Sequence, residues 1–178
     1  RKDKEITADL KYAKRIQNAI LPQEKLFKEI FPRHFILSIP KHIVSGDFYW
    51  IEKRDNKAII AVGDCTGHGV SGALMHMMAL IFLNQITKHR SFENPNEILE
   101  ELRDYVITSL HQTGSYGETH DGMDMALCMI DFKNHIVKFA GANNPLYVVN
   151  NQEFREIRGD RIPVGINFNL KKPFTTHE

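Results

Sequence analysis

A short apolar run, Ala58-Ile59-Ile60-Ala61-Val62, passes through Gly63 into Asp64 and then into Cys65-Thr66-Gly67-His68-Gly69-Val70-Ser71-Gly72-Ala73. A strand apolar on both faces belongs in the middle of a sheet, so Asp64 stands where a buried element ends. A carboxylate at the rim of a low-dielectric core is costly unless hydrogen bonds, a cation or a metal ion meet it. Capping of the following turn is the plainer role for such an Asp. Asp47, in Val44-Ser45-Gly46-Asp47-Phe48-Tyr49-Trp50, lies on the strand just before. Two consecutive strands with a short turn between them pair, which carries both carboxylates to one end of the sheet. They repel there, and a divalent cation removes the repulsion. Oxygen ligands without a His or Cys cluster suit a hard ion, Mg²⁺ or Mn²⁺.

The same stretch contains Gly67-x-Gly69-x-x-Gly72, which has the spacing of a dinucleotide-binding turn. That turn works inside a βαβ unit with an acidic residue about 20 positions on. Here Thr87-Lys88-His89-Arg90-Ser91 leads into a second helix instead of a strand, so the three glycines are better explained by tight turns and close packing. No HExxH, GxSxG or Walker A sequence is present, which removes support for zinc proteolysis, α/β-hydrolase chemistry and P-loop chemistry.

The elements that must position these residues follow from periodicity. Ile6, Leu10, Ala13, Ile16 or Gln17, and Ile20 recur at helical spacing, and Pro22 ends the helix. So narrow a stripe suits either a coiled-coil seam or a helix lying on its own domain. Residues 35–39, 43–52 and 57–63 read as strands, separated by Pro40 and by Arg54-Asp55-Asn56. Residues 70–85 read as a helix apolar nearly all round, hence buried. The next helix opens with Asn94 as N-cap, Pro95 at the first helical position and Glu97 completing a capping box. Ile98, Leu102, Tyr105 or Val106, and Leu110 form its buried face. A polar loop over 112–121 precedes strand signals at 123–131, 135–142, 146–150 and 153–157, whose short separators imply antiparallel pairing. Strands, two helices, then strands is an α+β order. Because Met125–Ile130 is apolar on both faces, two packed sheets with helices outside are expected.

The 178 residues suffice for one ordinary domain with a modest extra piece at one end. Lys plus Arg number 23 against 22 Asp plus Glu, and this near-balance lends no support to a nucleic-acid binder. The longest apolar run, over residues 74–83, is broken by His76 and falls short of the roughly 18 residues a bilayer span needs, so no membrane insertion is expected. The charged start, without an initiator Met or the apolar core of a signal peptide, reads as a piece of a longer chain. Cys65 and Cys128 form no CxxC pair, which fits a cytoplasmic protein without a disulfide framework.

Three motifs in order, Ser45-Gly46-Asp47-Phe48-Tyr49, the stretch from Gly63 to Met75, and Phe139-Ala140-Gly141-Ala142-Asn143-Asn144-Pro145-Leu146, resemble the metal-dependent (PPM, 2C-type) serine/threonine protein phosphatases, in their SpoIIE-like bacterial branch. The resemblance covers roughly residues 35 to 170. It implies a four-layer αββα sandwich of two antiparallel sheets flanked by helices, C-terminally incomplete here, with residues 1–22 as a linker or signalling helix and 35–178 as the phosphatase domain. Tyr12–Pro22 is similar to the helix that joins such domains to an upstream sensor module. By the same resemblance, Asp64 bridges two Mn²⁺ or Mg²⁺ ions, the Cys65 backbone carbonyl coordinates one of them, and Asp47 supports that ion directly or through water. Water so activated attacks phosphorus in line, and His68 is a candidate general acid. The other account of His68 is a histidine exposed in a glycine-rich turn. Asp121 or Asp124 could help hold a further ion, or could cap the turn before residue 123.

The family's Thr-Asp-Gly motif and late Asp pair are not matched by Asp131 or Asp160, so the metal site is expected to be incomplete in this stretch and the stretch alone inactive. The implied activity of the intact protein is hydrolysis of phosphoserine or phosphothreonine on a partner protein of the anti-sigma factor antagonist class, with an upstream sensor in the same chain and a possible homodimer through residues 6–20. The alternative is a catalytically inactive module for protein binding or dimerisation.

Overall fold

The computed structural model describes residues 2–115, 118, 120–167 and 172–178. Arg1 and three positions of the 112–121 loop fall outside these, and the described part of that loop carries no helix or strand beyond the end of a turn. Helices α1 (Lys2–Ile20) and α2 (Glu24–Ile30) come first, followed by β1 (Phe48–Arg54), β2 (Lys57–Cys65), α3 (Val70–His89) and α4 (Pro95–Ser109). Strands β3 (Gly122–Asp131), β4 (Ile136–Ala142), β5 (Leu146–Asn150), β6 (Glu153–Ile157) and β7 (Val164–Gly165) complete the order.

One antiparallel sheet runs β1-β2-β3-β4, with the short β7 also paired to β3; β5 and β6 form a second, two-stranded sheet. The expected α+β class, with two antiparallel sheets and flanking helices, is what the chain adopts. As its apolar composition requires, β2 is a central strand. Its alternate residues Ile59, Ala61 and Cys65 are buried toward α3 and α4, together with Trp50 of β1 and Met123, Met125, Leu127 and Met129 of β3. Helix α3 contributes Met75, Ala79, Leu80, Leu83 and Ile86 to this core, and α4 contributes Ile98, Leu99, Leu102 and Val106. By length and composition α3 would also suit a bilayer, but half of it is buried inside the fold. The indole of Trp50 donates to Asn84 Oδ1 at 2.9 Å and ties β1 to α3.

The start of α4 follows its sequence signals: Pro95 opens the helix, and the Glu97 carboxylate accepts from the Asn94 backbone N–H at 3.2 Å. The opposite face of the sheet carries a smaller cluster in which Phe27 and Ile30 of α2 meet Ile51 and Ala58.

Of the strand expected over 43–52 only the part from Phe48 forms, another expected strand is absent, and the open choice between Ile16 and Gln17 is decided. Residues 35–39 form no strand, and Phe35 stays 90% exposed with Leu37 and Ile39 nearly as open. Their alternation has no neighbouring strand to hydrogen-bond, and a strand exists only in a ladder. In α1 it is Gln17 that turns to the domain, while Ile6, Ile16 and Ile20 of the apolar stripe face solvent. The short α2 carries no sequence signal of its own length, since seven residues hold barely two turns of periodicity.

Candidate metal centre

The β1–β2 ladder ends with Phe48 opposite Gly63, and one further residue sets Asp47 against Asp64. On the other side Asp64 pairs directly with Asp124 of β3. Residues directly opposite across strands share a sheet face with Cβ atoms about 5 Å apart. The residue just before β1 and the paired strands β2 and β3 thus bring Asp47, Asp64 and Asp124 into one row at the end of the sheet. The row lies on the face turned away from α3 and α4: Asp64 alternates with the buried Gly63 and Cys65, and its face-mate Val62 is 54% exposed.

The electrostatics follow from this row. The Asp64 carboxyl is held above its ordinary value, first by loss of hydration, then by hydrogen bonding with the Asp47 side chain, and then by the negative charges of Asp47 and Asp124. The loop before β1 packs tightly on the turn after β2. A Cβ on Gly46 would lie 3.3 Å from the Cys65 carbonyl oxygen and 3.5 Å from the Gly72 Cα. The Cys65 carbonyl therefore faces the Asp47 loop, while burial pushes the Cys65 thiol far up and keeps it protonated. Thr66 pins the turn to the head of β3: its N–H donates to the Gly122 carbonyl at 2.9 Å, and its hydroxyl accepts from the Gly122 N–H at 3.1 Å.

The glycines of this turn serve packing and backbone conformation. A Cβ on Gly72 would meet the Gly67 carbonyl oxygen at 2.8 Å, and Gly69 sits at φ 62. The chain enters α3 and then α4 with no strand between them, so the dinucleotide spacing has no βαβ unit around it.

His68 is exposed in this turn and stacks on His42, ring centroids 5.1 Å apart. The Asp121 carbonyl accepts from Gln112 Nε2, and its backbone lies against Gly165 of β7.

Asn143, within the third motif, carries no role in the sequence reading. Its Nδ2 donates to Asp124 Oδ1 at 2.7 Å, and its backbone sits at φ 57, which extends the row to a fourth position beside β3. Asn is one of the few residues at ease in that conformation, and this was the available signal.

As a cation site, the row offers carboxylate oxygens and one backbone carbonyl, the donor set of a hard divalent ion. The raised Asp64 carboxyl marks charge that such an ion would neutralise. Among the described residues, no group of three or more His, Cys, Asp or Glu side chains closes around a common point. Asp47, Asp64 and the Cys65 carbonyl would therefore hold an ion with water in the remaining positions, a common arrangement for Mg²⁺.

Residues 54–178 match the family model of Stage II sporulation protein E (SpoIIE). The SiaA-PP2C domain of Pseudomonas aeruginosa superposes with a TM-score of 0.85 at 32% identity, covering 98% of this chain and 67% of that one. The PP2C phosphatase domain of SpoIIE from Bacillus subtilis, solved with a fragment of its regulatory domain, shares the fold with a TM-score of 0.60 at 17% identity, over 76% of this chain and 38% of that one. RsbX, crystallised in complex with magnesium, shares it with a TM-score of 0.55 at 14% identity, over 75% and 59%. No curated protein sequence matches the chain. With a family model spanning more than half of its length and a carboxylate row at the end of its central strands, the chain belongs to the SpoIIE family of PP2C-type phosphatase domains.

Proposed function

We propose that the intact protein hydrolyses phosphoserine or phosphothreonine on a partner protein, with Mn²⁺ or Mg²⁺ held at the Asp47–Asp64 row. The observation that carries this is the gathering of Asp47, just before β1, with Asp64 and Asp124 on the paired strands β2 and β3, Asp64 being held above its usual range by burial and then by its neighbours. Divalent ions in such a site lower the pKa of bound water and clamp the oxygens of an in-line displacement. Asp64, central in the row, would hold the metal on this reading and supply the carboxylate charge that balances it. Asp47 and the Cys65 carbonyl flank it on one side, and Asp124, held by Asn143, flanks it on the other. His68, exposed in the adjoining turn, is within the segment that could deliver a proton to the departing serine or threonine oxygen. The kind of partner is a small antagonist of an anti-sigma factor, as the family resemblance implies, in the cytoplasm and under control of an upstream sensor region through α1.

The test is hydrolysis of phosphopeptides and phosphoprotein by a longer form of the protein with Mn²⁺ or Mg²⁺. Asp64→Asn is expected to remove nearly all turnover, and His68→Ala to cost less, within the ~10²–10⁴-fold typical of general acid catalysis. Near wild-type turnover of Asp64→Asn at saturating metal would overturn the site. No metal-dependent hydrolysis by the longer form would favour a binding or dimerisation module instead.

A further inference from the structure

Gln17 is the buried residue of α1, only 1% exposed, on a helix whose apolar residues mostly face solvent. Its carboxamide grips both backbone groups of Ser45. Oε1 accepts from the Ser45 N–H at 3.1 Å, and Nε2 donates to the Ser45 carbonyl at 2.8 Å. His76 of α3 closes the same knot, with Nδ1 at 3.2 Å from both Gln17 Nε2 and the Ser45 carbonyl oxygen. Ser45 in turn holds the metal-centre loop, because its hydroxyl accepts from the Asp47 N–H at 3.1 Å.

Ser45 is itself buried and lies before the first residue of β1, so no ladder partner satisfies its N–H and carbonyl. Buried backbone groups require partners, and here a side chain from a separate helix supplies both. A carboxamide does this where an apolar residue could not, which explains a glutamine at the most buried position of α1.

We infer that Gln17 is a positioning residue for Asp47: the carboxamide clasp on Ser45 sets where the Asp47 carboxylate stands relative to Asp64, so that docking of α1 decides whether the row holds a divalent ion. The backbone of Asp47 has no sheet partner of its own in this loop, and metal ligands must sit within about 0.2 Å of their ideal distances. Release of Ser45 would therefore weaken the site without disturbing the core packed between the sheet and α3 and α4. The metal part of this inference rests on the proposed function; the positioning of Asp47 does not.

The test uses this chain and its variants Gln17→Met, Ser45→Ala and Asp64→Asn, with amide hydrogen exchange and Mn²⁺ titration as readouts. Gln17→Met keeps length and packing but cannot hydrogen-bond. It is expected to speed exchange at both the Ser45 and Asp47 amides at least tenfold, leave the amides of β2 and β3 protected, and weaken Mn²⁺ binding about tenfold or more, a loss of ~1.4 kcal/mol. Ser45→Ala is expected to expose the Asp47 amide alone. A Gln17→Met protein whose Ser45 amide opens while the Asp47 amide and Mn²⁺ affinity stay at wild-type values would overturn the inference and leave Gln17 a structural residue. Asp64→Asn is expected to abolish Mn²⁺ binding. If it binds as tightly as wild type, the metal reading fails, and the Asp47 amide by itself decides for or against the clasp.

Discussion

Gly72→Ala separates the geometry of the carboxylate row from the stability of the fold. Gly72 lies in the first turn of α3, and a Cβ there would fall 2.8 Å from the Gly67 carbonyl oxygen and 3.2 Å from both the Gly46 Cα and the Gly67 carbonyl carbon. All three are backbone atoms and cannot rotate away. Carbon atoms pack at about 3.5–4.0 Å, so α3 and the two loops must part by roughly half an ångström. Overpacking of this kind costs ~1–3 kcal/mol, and the better helix propensity of Ala returns up to ~1 kcal/mol. The net loss of ~0–3 kcal/mol corresponds, at ~2–4 °C per kcal/mol for a domain of this size, to a melting point lower by up to about ten degrees.

The loops that part are the one bearing Asp47 and the turn that follows Asp64 on β2. Half an ångström exceeds the ~0.2 Å tolerance of metal–ligand distances, so metal affinity should fall far more than stability does. Thermal melts in chelator and Mn²⁺ titration of the folded protein measure the two effects separately. Ile98→Val on α4, a buried change worth ~0.5–1.5 kcal/mol, provides a comparable thermal loss remote from the loops. If Gly72→Ala loses no more Mn²⁺ affinity than Ile98→Val does, the close approach of Gly46, Gly67 and Gly72 does not set the site, and the reasoning fails.

Burial first, with the charge of Lys14 adding to it, holds the His76 imidazole below its usual value. The unfolded chain then binds more protons than the fold between that depressed value and about 6.5, so stability should fall as pH drops through this window. Urea unfolding between about pH 5 and 7.5 should show that slope, and His76→Leu should flatten it; an unchanged slope would exclude His76 as its source. Ile16 and Ile20 are 39% and 38% exposed on the outer face of α1, so Ile16→Asp and Ile20→Asp should leave the melting point nearly unchanged while abolishing any self-association through residues 6–20. Light scattering reads the mass, and an unaltered mass and activity in a longer form would make α1 a passive linker on that face. Asn143→Ala should leave the Asp124 carboxylate without its 2.7 Å donor and raise the metal concentration needed for half-maximal binding, with a fold change of a few; equal titration curves would remove Asn143 from the site.

Local signals were sufficient wherever one short stretch decides its own structure. Asn94, Pro95 and Glu97 mark the head of α4 because capping is a contact between residues three apart, and the structure starts the helix there. Ala58–Val62 is a central strand because so continuous an apolar run is stable only between two neighbouring strands, with Ala58, Ile59 and Ala61 buried. The Asp47–Asp64 approach was legible because a two-residue turn leaves the two strands no choice but to pair.

Tertiary structure decided what depends on a distant partner. The alternation of residues 35–39 looks like a strand, but a strand needs a ladder and none forms there. Asp124 joins the row through the β2–β3 register, set by two helices and a loop's worth of intervening chain. In α1, helical spacing allowed either Ile16 or Gln17 to face inward. Hydrophobicity alone favours the isoleucine, yet Gln17 takes the buried place because its carboxamide meets both backbone groups of Ser45, 28 residues away, which an apolar side chain would leave with fewer partners.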